Sequence, residues 1–289
     1  MTAQPRVSFE FFPPKSLEGS FRLWDTVHLL APFDPSFVSV TYGAGGTTRK
    51  LTHEAVTTIG KATGLNVAAH LTCVGATRAE TLEIADSYAR AGVRDLVALR
   101  GDPPAGAGRF TAHPDGFANS IDLIAALAET GRHNIRVGAY PERHPEAADQ
   151  AVDVAWLKRK IDAGATGAIT QFFFEAETFF RFRDACGKAG IDAPIVPGIL
   201  PVQNWSGTLR MAESCGATVP AWLRDAFATA HRDGRDDLLA TAICAELCDE
   251  LIQGGVEDLH FYTLNRPQIV RDTCLALGLK PRARLEEVA

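Results

Sequence analysis

Eight short apolar segments, each followed by a helix-like stretch, predict an α/β chain folded as a (β/α)8 TIM barrel, a single domain over residues 1–289 with extra helices before strand eight. Three observations carry that expectation. The apolar segments are continuous rather than alternating, the pattern of strands covered on both faces. Strand-like and helix-like segments alternate from one end of the chain to the other, as right-handed crossovers in a parallel sheet require. The turn after the first segment, Phe12-Pro13-Pro14-Lys15, contains no glycine, whereas an open doubly wound sheet usually has a glycine-rich turn there.

The elements follow in order. Val7–Phe11 is a short apolar and aromatic strand stopped by Pro13-Pro14, and Ser16–Ala31 reads as its helix. Phe37–Val40 is the second strand, with a helix over Thr48–Gly64 closed by Gly64. Asn66–Leu71 and Arg78–Ala91 form the third unit, and Asp95–Leu99 is strand four. A Gly- and Pro-rich loop from Gly101 to Gly116 precedes a helix over Phe117–Thr130 and is long enough to be a lid or cofactor loop. Ile135–Tyr140 with Ala147–Ala163, and Ala168–Phe172 with Ala176–Ala189, make units five and six. Ile195–Leu200 is strand seven, followed by three helical stretches, Val202–Cys215, Ala221–Ala230 and Asp236–Gln253. Asp258–Tyr262 is strand eight, and Pro267–Leu277 closes the barrel.

Composition narrows the function. The chain is 46% hydrophobic and 22% charged, ordinary for a protein with a sizeable core. With 29 Lys plus Arg against 35 Asp plus Glu the net charge is −6, and no basic run exists, so a nucleic-acid partner held through phosphates is not expected. Asp236-Asp237 and Glu286-Glu287 read as solvated surface. The start, Met1-Thr2-Ala3-Gln4-Pro5-Arg6, lacks the apolar region of a signal peptide, and no apolar run approaches the ~18–20 residues that span a bilayer. Six cysteines without a C-x-x-C pair read as reduced, and the expected location is cytoplasmic. Metal-binding, P-loop and nucleophile-elbow patterns are absent from the sequence, so no metal is expected.

Polar residues gather where the strands exit, the face on which barrel enzymes react. Glu10 sits inside the first strand among Phe9, Phe11 and Phe12. An ionised carboxylate is costly to bury there, and desolvation is expected to raise its pKa toward that of a general acid. A Glu pointing outward into a salt bridge fits strand position equally well. Thr41-Tyr42-Gly43-Ala44-Gly45-Gly46 offers backbone N–H groups to a phosphate or a flat ring, or is a plain flexible loop. His70 ends strand three, and Arg100-Gly101-Asp102 follows strand four, where an ordinary Asp-Pro turn is the bland alternative. Tyr140, Glu142 and His144 follow strand five, Gln171 lies in strand six, and Thr263-Leu264-Asn265-Arg266 follows strand eight. Lys158, Arg159 and Lys160 lie late in a helix, suited to its dipole or to phosphates. Spacing alone supports a polar pocket with an acid, without naming a reaction.

The stretches Ser8-Phe-Glu-Phe-Phe-Pro-Pro-Lys15, Val40-Thr-Tyr-Gly-Ala-Gly-Gly46, His70-Leu-Thr-Cys73, Leu99-Arg-Gly-Asp-Pro-Pro104, Tyr140-Pro-Glu142, His144-Pro-Glu-Ala147, Leu157-Lys-Arg-Lys-Ile-Asp-Ala-Gly-Ala165, Ile169-Thr-Gln-Phe-Phe-Phe174, Pro197-Gly-Ile-Leu-Pro201 and Phe261-Tyr-Thr-Leu-Asn-Arg266 resemble the methylenetetrahydrofolate reductase family, of the bacterial, catalytic-domain-only type. The resemblance runs from the first strand to the last.

It implies a flavoprotein in which FAD takes a hydride from NADH or NADPH and then gives it to 5,10-methylenetetrahydrofolate, forming 5-methyltetrahydrofolate in one-carbon and methionine metabolism. It further implies a homo-oligomer. By resemblance Glu10 supplies the proton that opens the folate's five-membered ring, and Asp102 favours the cationic iminium that results. Gln171 and Arg266 resemble substrate contacts. The implied FAD contacts are Thr41, Tyr42, Ala44, His70, Arg100, Gly101, Asp102, Phe117, Ala118, Tyr140, His144, Ala147, Asp153, Arg159 and Lys160. The sequence departs from the family pattern in the loop from Ala105 to Gly116, at Trp156 near the cofactor, and at Gly207 and Met211 near folate. Two other classes share such a barrel: a relative that works without FAD, and a folate- or flavin-binding protein without turnover. Neither carboxylate, Glu10 nor Asp102, is needed merely to hold an anionic cofactor, which speaks against the last.

Overall fold

The computed structural model describes residues 4–43, 48–102 and 110–282. Parallel strands and helices alternate as β1 (Arg6–Phe11), α1 (Leu17–Leu30), β2 (Phe37–Val40), α2 (Arg49–Thr63), β3 (Val67–Thr72), α3 (Arg78–Arg90), β4 (Asp95–Leu99), α4 (Ser120–Glu129), β5 (Asn134–Ala139), α5 (Gln150–Asp162), β6 (Gly167–Thr170), α6 (Ala176–Lys188), β7 (Ile195–Val196), β8 (Gly198–Ile199), α7 (Trp205–Cys215), α8 (Ala221–Arg232), α9 (Asp236–Gln253), β9 (Asp258–Tyr262) and α10 (Pro267–Ala276). The strand order is β7-β6-β5-β4-β3-β2-β1-β9-β8.

The expected seventh strand, Ile195–Leu200, is broken at Pro197 into β7 and β8. Proline has no N–H to give to a ladder. Its carbonyl still accepts from His260 N at 3.0 Å. β7 pairs with β6 (Ala168 opposite Ile195), and β8 pairs with β9 (Gly198 opposite His260). The two halves thus occupy one position in the ring and close it, so nine segments make a TIM barrel of eight strand positions. The three helices α7, α8 and α9 stand before the last strand, as the sequence predicts.

Three helices start later than the sequence suggests, and each start is set by a side-chain cap. Asn119 accepts from Ile121 N at 2.8 Å, so α4 begins at Ser120 rather than Phe117. Asp149 accepts from Val152 N at 3.0 Å, and α5 begins at Gln150 rather than Ala147. Asn204 accepts from Gly207 N at 2.8 Å, so α7 begins at Trp205 rather than Val202. Each cap satisfies an amide that the first helical turn leaves without a partner.

Strand alternation sorts the barrel into two faces. Phe9, Phe11, Val38, Val40, Ala69, Leu71 and Phe261 pack outward against the helix shell in the main core. A smaller cluster of Phe37, Ala68, Val97 and Ile169, with Leu99 and Tyr262 against it, fills the interior. Burying each of the large side chains contributes roughly 1.5–3 kcal/mol. A third cluster, centred on Phe172, Leu200, Leu223 and Phe227, lies beneath the added helices, where Trp205 stacks on Phe227 at 4.5 Å.

Candidate active site

Because Phe9 and Phe11 face the helices, Glu10 faces the barrel interior. Its backbone is pinned by β9: Thr263 N and Oγ1 both donate to Glu10 O, the hydroxyl at 2.6 Å. Its carboxylate meets three side chains through one oxygen. His70 Nε2 stands 3.1 Å from Glu10 Oε2, Ser39 Oγ donates to it at 3.4 Å, and His260 Nε2 lies 3.7 Å away.

The expected rise in the pKa of Glu10 is not found. Desolvation is the strongest single influence and pushes upward, as anticipated. His70 and His260 beside the carboxylate together outweigh it and bring the carboxyl down to about 2. The sequence assigned the burial to neighbouring phenylalanines; it comes instead from the barrel interior. His70 Nε2 and His260 Nε2 both lack a well-aligned hydrogen-bond partner among the described residues, as does Thr72 Oγ1 at the exit of β3. Such orphaned buried groups mark a place where a further polar molecule fits.

Two cavities open where the strands exit; Glu10, His70 and His260 line neither. One, of about 430 Å³, is lined by Arg100, Gly101, Asp102, Tyr140, His144, Ala147, Asp153, Trp156 and Lys160 among others. Gly101 is in the left-handed region at φ 86°, and a Cβ there would press on Thr72 and Val74, so only glycine turns the chain away from β4 at this point. Tyr140 and His144 meet edge to face at 4.6 Å. Asp153 Oδ2 accepts from His144 N at 2.9 Å, which fixes that turn against α5. Lys160 is almost fully buried, donates to Gly138 O at 2.7 Å, and desolvation brings its pKa down to about 8. Arg100 is held by Glu146 at 2.6 Å and stacks over Phe110. A pocket with a buried lysine, an arginine and two aromatic rings suits a flat, anionic ligand.

The second cavity, of about 550 Å³, is lined by Lys15, Arg22, Thr41, Tyr42 and Arg266, with Asn265. Tyr42 Oη accepts from Arg49 at 2.7 Å. Asn265 clamps the exit of β1 by accepting from Phe12 N and donating to Phe12 O, both at 2.9 Å. Leu264 and Asn265 both have φ near 50°, a conformation that bulky residues adopt at a cost and that sets the direction of Arg266.

The basic cluster late in α5 divides three ways: Lys158 pairs with Asp162, Arg159 lies over the Trp156 ring at 4.6 Å, and Lys160 turns into the barrel wall. Gln171 lies beside Tyr140 and Cys215 under the same mouth. Phe117 is buried in the main core with Arg78 over its ring, and Ala118 is exposed; neither lines the two cavities. Ala44 lies outside the described residues, as does the part of the 105–116 loop before residue 110. Sequence reasoning missed Ser8, Arg136 and His260 inside the barrel and Lys15 and Arg22 at its mouth. The inward parity of Ser8, Glu10 and His260 was the available signal.

Residues 1–278 match the family model described as methylenetetrahydrofolate reductase. The chain belongs to the methylenetetrahydrofolate reductase family. It is an oxidoreductase of the class acting on CH–NH groups. Within that family it is 45% identical over 284 residues to the 5,10-methylenetetrahydrofolate reductase of Escherichia coli K12, covering 96% of this chain and 92% of that one. It is 34% identical to methylenetetrahydrofolate reductase (NADH) 1 of Arabidopsis thaliana, covering 98% of this chain and 50% of that protein. Among solved structures, a Clostridium thermocellum protein described as binding two copies of 5-methyl-5,6,7,8-tetrahydrofolic acid is similar over 96% of each chain, with a TM-score of 0.59 and 15% identity. That likeness speaks to the barrel fold. Among the described residues no helix is long and apolar enough to cross a membrane.

Proposed function

We propose that this chain reduces 5,10-methylenetetrahydrofolate to 5-methyltetrahydrofolate with NADH or NADPH, using FAD. The observation that carries the reading is Glu10, a carboxylate inside the barrel with two buried histidines on one of its oxygens, in a chain whose strand exits open into two cavities that carry cations.

The residues fit the cofactor. Lys160 and Arg100 supply positive charge for its pyrophosphate, and Tyr140, His144 and Trp156 supply surfaces for its rings; Arg159 reaches the site only through the Trp156 ring, and His70 is turned to Glu10. Thr41 and Tyr42 line the second cavity instead. The chemistry that FAD supplies when bound is a two-electron hydride relay from NADH or NADPH to the one-carbon unit in two separate half-reactions.

The protein's own part concerns the folate. A bridged methylene accepts hydride poorly until its ring opens to an iminium cation, and opening requires a proton on the departing nitrogen. Glu10 gives that proton. Flat ligands filling the mouth take away its remaining solvent, and the added desolvation works against the two histidines and favours the proton on the carboxyl. Asp102, exposed on the rim of the 430 Å³ cavity, places negative charge near the cation that forms. Arg266, Lys15 and Arg22 in the second cavity offer charge to the carboxylates of the folate tail, and Gln171 contacts the pterin.

The test is the visible spectrum of the purified protein before and after anaerobic addition of NADH or NADPH. A flavin spectrum that bleaches, and returns on addition of 5,10-methylenetetrahydrofolate, is the expected result. A colourless protein that stays colourless with added FAD overturns the cofactor assignment.

A further inference from the structure

His260, on β9, is fully buried beneath Glu10, and the reaction proposed above gives it no task. Its ring is fixed on every side. Ser8 Oγ stands 2.8 Å from Nδ1, Phe37 stacks on one face at 5.5 Å with an interplanar angle of 13°, and Tyr262 meets it edge-on at 5.4 Å. On the far side of Phe37 the Arg136 guanidinium lies 4.1 Å from the ring centre, and Arg136 is itself paired with Asp95 inside the barrel. Resting on the folate-reduction reading, we propose that His260 is a positioning residue for Glu10, a neutral imidazole locked as its Nε2–H tautomer by Ser8 and by the charge of Arg136 beyond Phe37, which anchors Oε2 and leaves Oε1 to carry the exchanged proton.

The tautomer follows from the single hydroxyl proton of Ser8. That proton has two acceptors within reach, His260 Nδ1 at 2.8 Å and Leu259 O at 3.3 Å. If Ser8 donates to the carbonyl, Nδ1 must carry the hydrogen, and the Nε2 lone pair then faces the Glu10 oxygen. That arrangement sets two electron-rich atoms against each other in a buried site. If Ser8 donates to the nearer Nδ1, the Nε2–H points at Oε2 instead, and both contacts are attractive.

A second proton on the ring is opposed from two directions. The side chain has no access to water, and Arg136 already holds a positive charge across Phe37. Burial lowers the pKa of His260 most, His70 and Arg136 add to it, and Glu10 works against them. The other groups that face the carboxylate are Ser39 on β2, His70 on β3 and Tyr262 on β9, and Asp95 on β4 balances Arg136 on β5.

The role in positioning comes from which oxygen is used. Ser39, His70 and His260 all approach Oε2, and among the described residues no partner meets Oε1. The Nε2–H of His260 is at 3.7 Å, beyond hydrogen-bond length, and has no other acceptor. It is a buried donor aimed at the carboxylate and able to hold it whenever Glu10 settles inward.

The experiment is proton–nitrogen correlation NMR of the holoenzyme labelled with 15N at histidine, from about pH 8 to about pH 5. The expected His260 spectrum is a neutral ring with hydrogen on Nε2 and an accepting Nδ1 throughout. In Asp95→Leu/Arg136→Met, which removes both charges, the ring is expected to begin taking up a proton within that window. A wild-type His260 with hydrogen on Nδ1, or one charged across the window, overturns the proposal. This readout needs no turnover, so it stands or falls apart from the folate reaction.

Half-reactions supply the second arm. His260→Leu is expected to slow reoxidation of the reduced enzyme by 5,10-methylenetetrahydrofolate about tenfold or more and to move its pH profile, with reduction by nicotinamide unchanged within about twofold. His260→Gln, which keeps an N–H near the position of Nε2, is expected to recover most of the loss. Equal rates for the Leu and Gln variants overturn the positioning role. A wild-type enzyme that bleaches with nicotinamide but never responds to the folate overturns the proposed function instead, and leaves the tautomer result intact.

Discussion

Glu10 on β1 and His70 on β3 meet at 3.1 Å although β2 lies between their strands, because the curve of the barrel turns both side chains toward its axis. The contact fixes the sign of the carboxyl's response. His70 is the largest of the influences that lower it, and without it only His260 opposes desolvation. In His70→Leu the pKa of Glu10 is expected to climb from about 2 to above its ordinary 4.5, read by carbon NMR of labelled glutamate. A value that stays near 2 would mean that His260 and Ser39 suffice.

The same shift makes stability depend on acid. A carboxyl whose folded pKa is lowered contributes stability that is present above its ordinary value and lost as pH falls through the folded one. Wild type should therefore exceed Glu10→Gln in stability near neutrality. The gap should close as pH drops from about 4.5 toward about 2, as followed by urea unfolding at a series of pH values. In kinetics, the Gln variant is expected to keep flavin reduction by nicotinamide and to lose about 10²–10⁴-fold in reaction with the folate. Equal loss of both half-reactions would sink the acid role.

Lys160 carries the opposite sign. Its pKa falls from 10.5 to about 8 on burial, so its charge costs the fold about 3 kcal/mol at neutral pH, and the cost fades as pH rises from about 8 to 10.5. Lys160→Met is expected to raise the melting temperature at pH 7 while weakening FAD binding at least tenfold by equilibrium dialysis. A variant that binds FAD as wild type does would remove Lys160 from the cofactor site.

Trp156, with the Arg159 guanidinium over its ring, lines the smaller cavity and offers a flat face to a flat ligand. FAD is expected to quench its fluorescence, and Trp156→Ala to weaken FAD binding by about 1 kcal/mol, roughly fivefold. Unchanged emission on saturation with FAD would place the indole away from the cofactor.

Gly198 leaves no room for a side chain: a Cβ would strike the Thr170 carbonyl and come within 2.6 Å of the Tyr262 ring, whose hydroxyl donates to that same carbonyl. Gly198→Ala is expected to lose about 1–3 kcal/mol in chemical denaturation. A smaller loss would show that β8 can shift outward.

The sequence makes the barrel legible because strands covered on both faces read as unbroken apolar runs, and Phe37–Val40, Asp95–Leu99 and Asp258–Tyr262 match the structure to the residue. The break at Pro197 was written in the sequence, but an apolar run on both sides hid it. Asn119, Asp149 and Asn204 are caps that the sequence reading placed inside helices, since a cap declares itself only when its side chain meets an amide. The sequence left Glu10 open between an inward acid and an outward salt bridge, and the outward packing of Phe9 and Phe11 decides for the interior. The direction of its pKa was not legible, because His70 and His260 reach it from strands remote in the chain. Arg136 was harder still: a charged residue in a strand gives no hint that Asp95 and Phe37 will enclose it.

Pro197 also determines where the barrel is easiest to open. β1 is laced to β9 by five residue pairs, whereas β7 reaches β6 through two and β8 reaches β9 through two. A cask fails at its thinnest stave, and here that stave is cut across the middle. Its amides, those of Ile195, Val196, Gly198 and Ile199, should exchange with heavy water before those of any other stave, and folding of the ring should finish there.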